Sequence, residues 1–219
     1  MRVMRVVVAA VVMTLGFAIA PASAQTIGFK IGPTFSKMDA DESEGAVETL
    51  TSFGGGGFVR FGFAGLALQL ELLALTKGAE QTFTDPTLGD VTVELKLNYI
   101  EIPLTAMFAF GSGPYVFAGP SVAFEIGCNV DIDIGDGDSF SGDCDDDDAD
   151  VAVARKSTDF SLVGGAGFEF PAGPGRILIE GRYIYGLTNI NDDPDVTSDA
   201  KHRTWFVGAG YSIPIGSVR

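Results

Sequence analysis

The chain has 219 residues, with 29 acidic side chains against 14 basic ones and a formal charge of −15. That balance argues against nucleic acid as a partner, because phosphate contacts need clustered Lys and Arg. Twenty-nine glycines and seventeen phenylalanines, with few helical repeats, favour an all-β class.

Residues 1–24 read as a secretory signal peptide. Arg2 and Arg5 form a basic start, Val6 to Ile19 is an apolar run, and Ala22-Ser23-Ala24 places small residues before Gln25. The run is short for a helix that crosses a bilayer, which takes about 20 apolar residues. Without Arg2 and Arg5, 12 basic residues face 29 acidic ones, so residues 25–219 carry a charge of −17 and form one domain.

Beyond Gln25, period-2 alternation predicts eight strands over 25–35, 53–63, 66–76, 94–110, 114–127, 158–170, 176–187 and 203–215. The connections alternate between long (36–52, 77–93, 128–157, 188–202) and tight (64–65, 111–113, 171–175). Outer-membrane barrels show this rhythm, with short periplasmic turns and long external loops. The expected fold is therefore an eight-stranded, antiparallel, up-and-down transmembrane β-barrel.

Side-chain alternation supports it. Leu66, Leu68, Leu70 and Leu72 share one face of their strand, and Ala67, Gln69 and Glu71 share the other. Ile177, Ile179, Tyr183 and Tyr185 likewise oppose Glu180 and Arg182. A soluble barrel would alternate too, but its water-facing side should be studded with charge, whereas here the less apolar face is mostly Gly, Ala and Ser. Tyr99, Phe110, Tyr115, Phe170, Tyr185 and Trp205 lie near strand ends, where aromatic girdles belong. Pro103 and Pro120 cannot donate to a ladder and mark expected bulges. The run Gly54–Gly57 precedes a strand and lacks the Lys-Ser/Thr of a phosphate loop, so close backbone packing is its expected role.

Four stretches resemble a known family: "NYIEIPLTAMF" (98–108), "PYVFAGPSVAFEIG" (114–127), "TDFSLVGGAGFEF" (158–170) and "IEGRYIYGLTNI" (179–190). In order, they look like the Tyr-x-Glu-x-Pro, Pro-Tyr-x-x-x-Gly-Pro, Gly-rich and Tyr-Gly-Leu-x-Asn-Ile strands of PorT-type small outer-membrane barrels. The resemblance implies the outer membrane of a Gram-negative bacterium and delivery to the barrel assembly machinery. It also implies a role in adhesion, envelope integrity or support of a secretion complex. Members of that family often end on an aromatic residue; here Tyr211 or Ile215 would carry the assembly signal.

The candidate site is the lumen. Lys30, Arg60 and Arg182 are expected to face inward with Glu71, Glu101 and Glu180, alongside Gln69, Glu125 and Glu169. Eight strands leave an interior just wide enough for side chains, so paired charges should plug it. Arg60 and Arg182 are the expected partners of Glu71, Glu101 or Glu180. A narrow porin-like pore is the alternative. A lipid- or peptide-cleaving barrel enzyme is a further one, resting on His202, the only histidine, placed at the external rim with Ser198 and Asp199 nearby. No catalysis is expected from so sparse a set.

Cys128 and Cys144 are expected to form a disulfide in the longest external loop, whose acidic stretch runs on to Asp150. "DIDIGDGD" departs from an EF-hand, since its glycine comes one position early and Gly142 stands where the final Glu belongs. Weak Ca²⁺ or Mg²⁺ collection with a Kd of about 10⁻³ M is expected, with Asp143, Asp145 and Asp147 as candidate ligands and no tightly held cofactor. Such cations would bridge the loop to lipopolysaccharide phosphates around a monomeric barrel.

Overall fold

The computed structural model describes residues 25–40, 48–63, 66–85, 89–134, 138–144, 156–189 and 200–215. The expected signal peptide, 1–24, lies outside them. Nine strands follow one another: Gln25–Ala40 (β1), Leu50–Phe63 (β2), Leu66–Asp85 (β3), Gly89–Ala109 (β4), Pro114–Ile134 (β5), Asp138–Asp143 (β6), Thr158–Ala172 (β7), Gly175–Gly186 (β8) and Ala200–Pro214 (β9). Eight of them close a ring of antiparallel neighbours, β1-β2-β3-β4-β5-β7-β8-β9, with β9 returning to β1. The ninth, β6, stands outside the ring and pairs with the upper part of β5.

Register partners fix the barrel's dimensions. Starting at Gln25, they run through Phe61, Leu68, Ala106, Ala118, Gly164, Tyr183 and Trp205 and return to β1 at Phe35, ten residues along. A stagger of ten over eight strands tilts them by about 43° from the axis. That tilt lets each strand cross an apolar layer in roughly 9–11 residues. The outward face of β9 from Trp205 to Ile213 and of β1 from Ile27 to Phe35 matches that length.

Outward positions are apolar right round the ring. Phe29, Leu68, Phe108, Val116, Leu162, Ile179 and Val207 are all 42–55% exposed. A soluble surface rarely carries so wide an apolar band; a lipid-facing one requires it. Phe110, Phe170, Tyr185 and Trp205 edge this band as expected. Tyr99 and Tyr115 do not: both are buried on the inner face, so alternation overrides their place near strand ends.

One end of the barrel carries tight turns. Gly111 (φ 66°) and Gly173 (φ 61°) occupy the left-handed region that the connections β4–β5 and β7–β8 demand. At the other end the strands continue well beyond the apolar band. The expected loop 77–93 is instead a long hairpin, because β3 and β4 stay paired out to Asp85 and Gly89. Alternation persists there in polar form, with Thr82 bonded to Thr92 at 3.0 Å and Thr84 to Asp90 at 2.8 Å. The upper parts of β5 and β6 widen this hairpin to a four-stranded sheet. One face carries Val91, Leu97 and Val130, and the other carries Glu80, Glu94, Lys96 and Asp131.

Neither proline makes the expected bulge. The β4–β5 register is the same on both sides of Pro103 and Pro120, from Pro103 opposite Ser121 to Ala106 opposite Ala118, and shifts only at Asn98/Tyr99. Gly56 answers the close-packing expectation, since a Cβ there would lie 2.0 Å from the Leu72 carbonyl oxygen.

Candidate functional site

Alternation on tilted strands sends one residue in two into a lumen too narrow for bulk water, so charges placed there must satisfy each other. They form three tiers. The central one joins Lys30 on β1, Glu71 on β3, and Glu180 and Arg182 on β8, all at most 2% exposed. Lys30 Nζ donates to both oxygens of Glu180 at 2.9 Å and lies 3.2 Å from Glu71. Arg182 Nη2 donates to both Glu71 oxygens at 3.0 and 2.9 Å, and its Nε donates to Glu180 at 2.9 Å. The Tyr115 hydroxyl adds a 3.1 Å bond to Glu180. Two cations therefore balance two carboxylates. Lys30 stands over the Phe58 ring at 5.0 Å, and Arg182 over Phe117 and Phe206 at 5.2 and 5.5 Å. Each ring face offers a desolvated cation further attraction.

Toward the tight turns, Arg60 donates to Gln69 at 2.8 Å and to Glu169 at 2.6 Å, and Arg176 donates to Glu169 at 3.1 Å. Toward the long loops, Lys77 Nζ lies 2.8 Å from Glu101 and 3.4 Å from Asp159, and Ser121 donates to Glu101 at 2.9 Å. Leu73, Leu75, Val163, Ile184 and Phe206 belong to one buried apolar cluster that fills the space around the charges. A second buried apolar cluster, Leu97, Tyr99, Ala123, Cys128, Val130 and Cys144, lies toward the long-loop end.

All six expected lumen charges point inward, but two pairings differ. Arg60 meets Glu169 rather than Glu71, Glu101 or Glu180. Glu101 meets Lys77, which the sequence places in a loop. Lys77, Asp159 and Tyr115 are the functional residues that pattern reading misses. For Lys77 the signal is present, since Gln69, Glu71, Leu73, Leu75 and Lys77 continue one period-2 face. Glu125, expected inward, is half-buried beside the register shift.

His202 is not on the rim. It is fully buried on β9, with its ring edge-on to Tyr99 at 5.7 Å, and neither ring nitrogen has a hydrogen-bond partner among the described residues. The ladder reaches Ala200, which carries His202 under the mouth instead of into solvent. Ser198 and Asp199 lie outside the described residues.

Cys128 and Cys144 are joined, with Cα atoms 5.5 Å apart. The bond ties β5 to the end of β6, above the apolar band. A loop of this size carries about 3 kcal/mol of chain entropy, confined to that hairpin. Reduction should therefore raise hydrogen exchange in 129–143 and leave the barrel's urea midpoint unchanged; a shifted midpoint would place the bond in the barrel's own stability. Of the acidic candidates, Asp143 is exposed, while Asp145 and Asp147 lie outside the described residues. Among the described residues, no group of three or more His, Cys, Asp or Glu is placed to hold a metal ion.

The polar face of the upper sheet titrates. Hydrogen bonds from Lys96 (2.9 Å) and from Ser141 hold the Asp131 carboxyl below its ordinary value. Burial opposes the charge of Lys96, but hydrogen bonds to Asp131 and Glu94 outweigh it and raise the amine. A lowered carboxylate stabilises the folded form above its ordinary value of 3.8 and loses that contribution as pH falls through the lowered one. Protection of 127–143, measured against the intrinsic exchange rate at each pH, should thus fall below about pH 3.8, and Asp131→Asn should weaken that fall. An unchanged profile in that variant would assign the effect elsewhere.

The chain has likenesses among known proteins. Among solved structures, the chain is similar to Ail, the attachment invasion locus protein of Yersinia pestis: 17% identity, 87% of this chain, 99% of that one, TM-score 0.42. It is similar to OprG from Pseudomonas aeruginosa at 14% identity, with 88% and 97% coverage and a TM-score of 0.45. Neisserial surface protein A matches at 12% identity, with 85% and 96% coverage and a TM-score of 0.45. No curated protein sequence matches the chain. A family model described as "Outer membrane protein beta-barrel domain" matches residues 22–192. With the closed ring, the lipid-facing band and that match together, the chain belongs to the outer membrane β-barrel domain family, and its place is the outer membrane.

Proposed function

We propose that this protein is a closed, non-conducting barrel with a structural or interaction role at the cell envelope, exercised through its external sheet and loops. The lumen carries this reading. Buried, mutually neutralised Lys30, Glu71, Glu180 and Arg182 fill its centre, and a buried apolar cluster that includes Cys128 and Cys144 lies toward its external end. An ion would have to displace paired charges and then cross an apolar layer, both costly steps. The sequence likeness to PorT-type barrels adds adhesion, envelope integrity and support of secretion as the forms such a role takes. The partners in this reading are outer-membrane lipids and lipopolysaccharide, the barrel assembly machinery during biogenesis, and an envelope protein met by the external loops. The barrel acts as a monomer. Divalent cations gathered weakly at the acidic loop bridge it to lipopolysaccharide. Catalysis is not part of this reading; neither ring nitrogen of His202 has a hydrogen-bond partner among the described residues.

The refolded protein should give no unitary conductance steps in planar bilayers, and His202→Ala should leave lipid and peptide hydrolysis at background. Steady ohmic steps would overturn the reading in favour of a narrow pore. Cross-linking of intact cells through the external loops would then identify the envelope partner.

A further inference from the structure

The periplasmic end of the barrel holds a cleft of about 270 Å³ whose lining includes Arg60, Glu169, Pro171, Pro174, Arg176 and Ser212. We propose that it binds a small oxyanion of the phosphate class.

Charge is the first argument. In the central and periplasmic tiers four cations, Lys30, Arg60, Arg176 and Arg182, meet three carboxylates, Glu71, Glu169 and Glu180. The central four cancel, so the excess positive charge falls on the cleft, in a chain whose net charge is −15. Free donors are the second. Glu169 engages Nη1 of Arg60 and Nε of Arg176, Gln69 takes Nε of Arg60, and Nη2 of Arg176 reaches the backbone oxygens of Ser112 and Glu169. Nη2 of Arg60 and Nη1 of Arg176 make no hydrogen bond to any described residue, and two guanidinium edges suit an oxyanion with several acceptors.

Ser212 supplies an independent sign. It lines the cleft, is 1% exposed, and its Oγ has no partner among the described residues. A buried hydroxyl without a partner is costly to keep, and a ligand oxygen would satisfy it. The site is also held ready. Arg60 is fixed over the Phe58 and Tyr115 rings at 5.2 and 5.9 Å, and two prolines stiffen the turn. The volume admits a phosphate group with several waters, each taking about 30 Å³.

A purely structural role, with Glu169 tying β2 to β8, predicts no ligand. Calorimetry on the full refolded chain in neutral detergent at low salt separates the two. Inorganic phosphate should bind saturably at one site, with millimolar affinity or tighter. Arg176→Gln, at a half-exposed position that leaves the folded form intact, should weaken binding about tenfold, the worth of one charge-assisted hydrogen bond. Ser212→Ala should weaken it less, and Glu169→Gln, which removes the competing carboxylate, should tighten it. Saturation by dihexanoyl phosphatidylglycerol but not by inorganic phosphate or dihexanoylglycerol would identify the anion as a lipid headgroup. Absence of saturable binding to both phosphate probes, or binding unchanged in Arg176→Gln, would overturn the proposal.

Discussion

Arg182→Met should lower the free energy of unfolding of the barrel by about 3–5 kcal/mol, the cost of stripping one partner from a buried ion pair. The variant leaves Glu71 and Glu180 in a lumen with Lys30 as the single cation within reach of both among the described residues. Neither carboxylate can recover water, because both side chains are at most 1% exposed. Urea titration in detergent measures the effect, read from the single tryptophan, Trp205, on the lipid face, and from the mobility of the folded form on gels. Removing a neutral pair, as in Lys30→Met with Glu180→Gln, should cost less than either change alone. Equal midpoints for wild type and Arg182→Met would mean that water reaches the tier, and would revive the pore.

The second large effect is expected at Lys77. An exposed loop lysine can be lost for less than about 0.5 kcal/mol. Here Lys77 is fully buried between Glu101 and Asp159, and Lys77→Met should cost about 3 kcal/mol by leaving two carboxylates facing each other. Asp159→Asn in the same chain should restore much of the loss, since one repelling charge is then gone. A negligible single-variant effect would return Lys77 to a solvated loop and open the long-loop half of the lumen.

Lys77 also marks where the sequence stops being readable. Strand existence and facing follow from alternation while the outward residues are apolar, as from Leu66 to Leu72. Beyond the lipid band, outward residues such as Thr82 and Glu94 turn polar because water covers them, and the strand resembles a loop although its ladder continues to Asp85. The inward set was legible for the same reason as the barrel. Pairings were not, because they depend on stagger, a property of the closed ring that single strands do not carry. Glu169 reaches Arg60 although the two are 109 residues apart and their strands are not neighbours. His202 was misplaced by the same ladder extension that hid Lys77.

The central tier has a bearing on how the ring comes shut. Lys30 lies on the first strand, while Glu180 and Arg182 lie on the last but one, 150 residues from Lys30 in the case of Glu180. Until the first and last strands zip together, Lys30 can meet Glu71 and Arg182 can meet Glu180. The bonds that cross the seam, Lys30 to Glu180 and Arg182 to Glu71, are missing, so each half would carry an incompletely bonded ion pair into an oily interior. Such partly zipped species are penalised by the very groups that hold the finished one. Closure of the seam and drying of the interior should therefore be coupled, with the last strand as the latch.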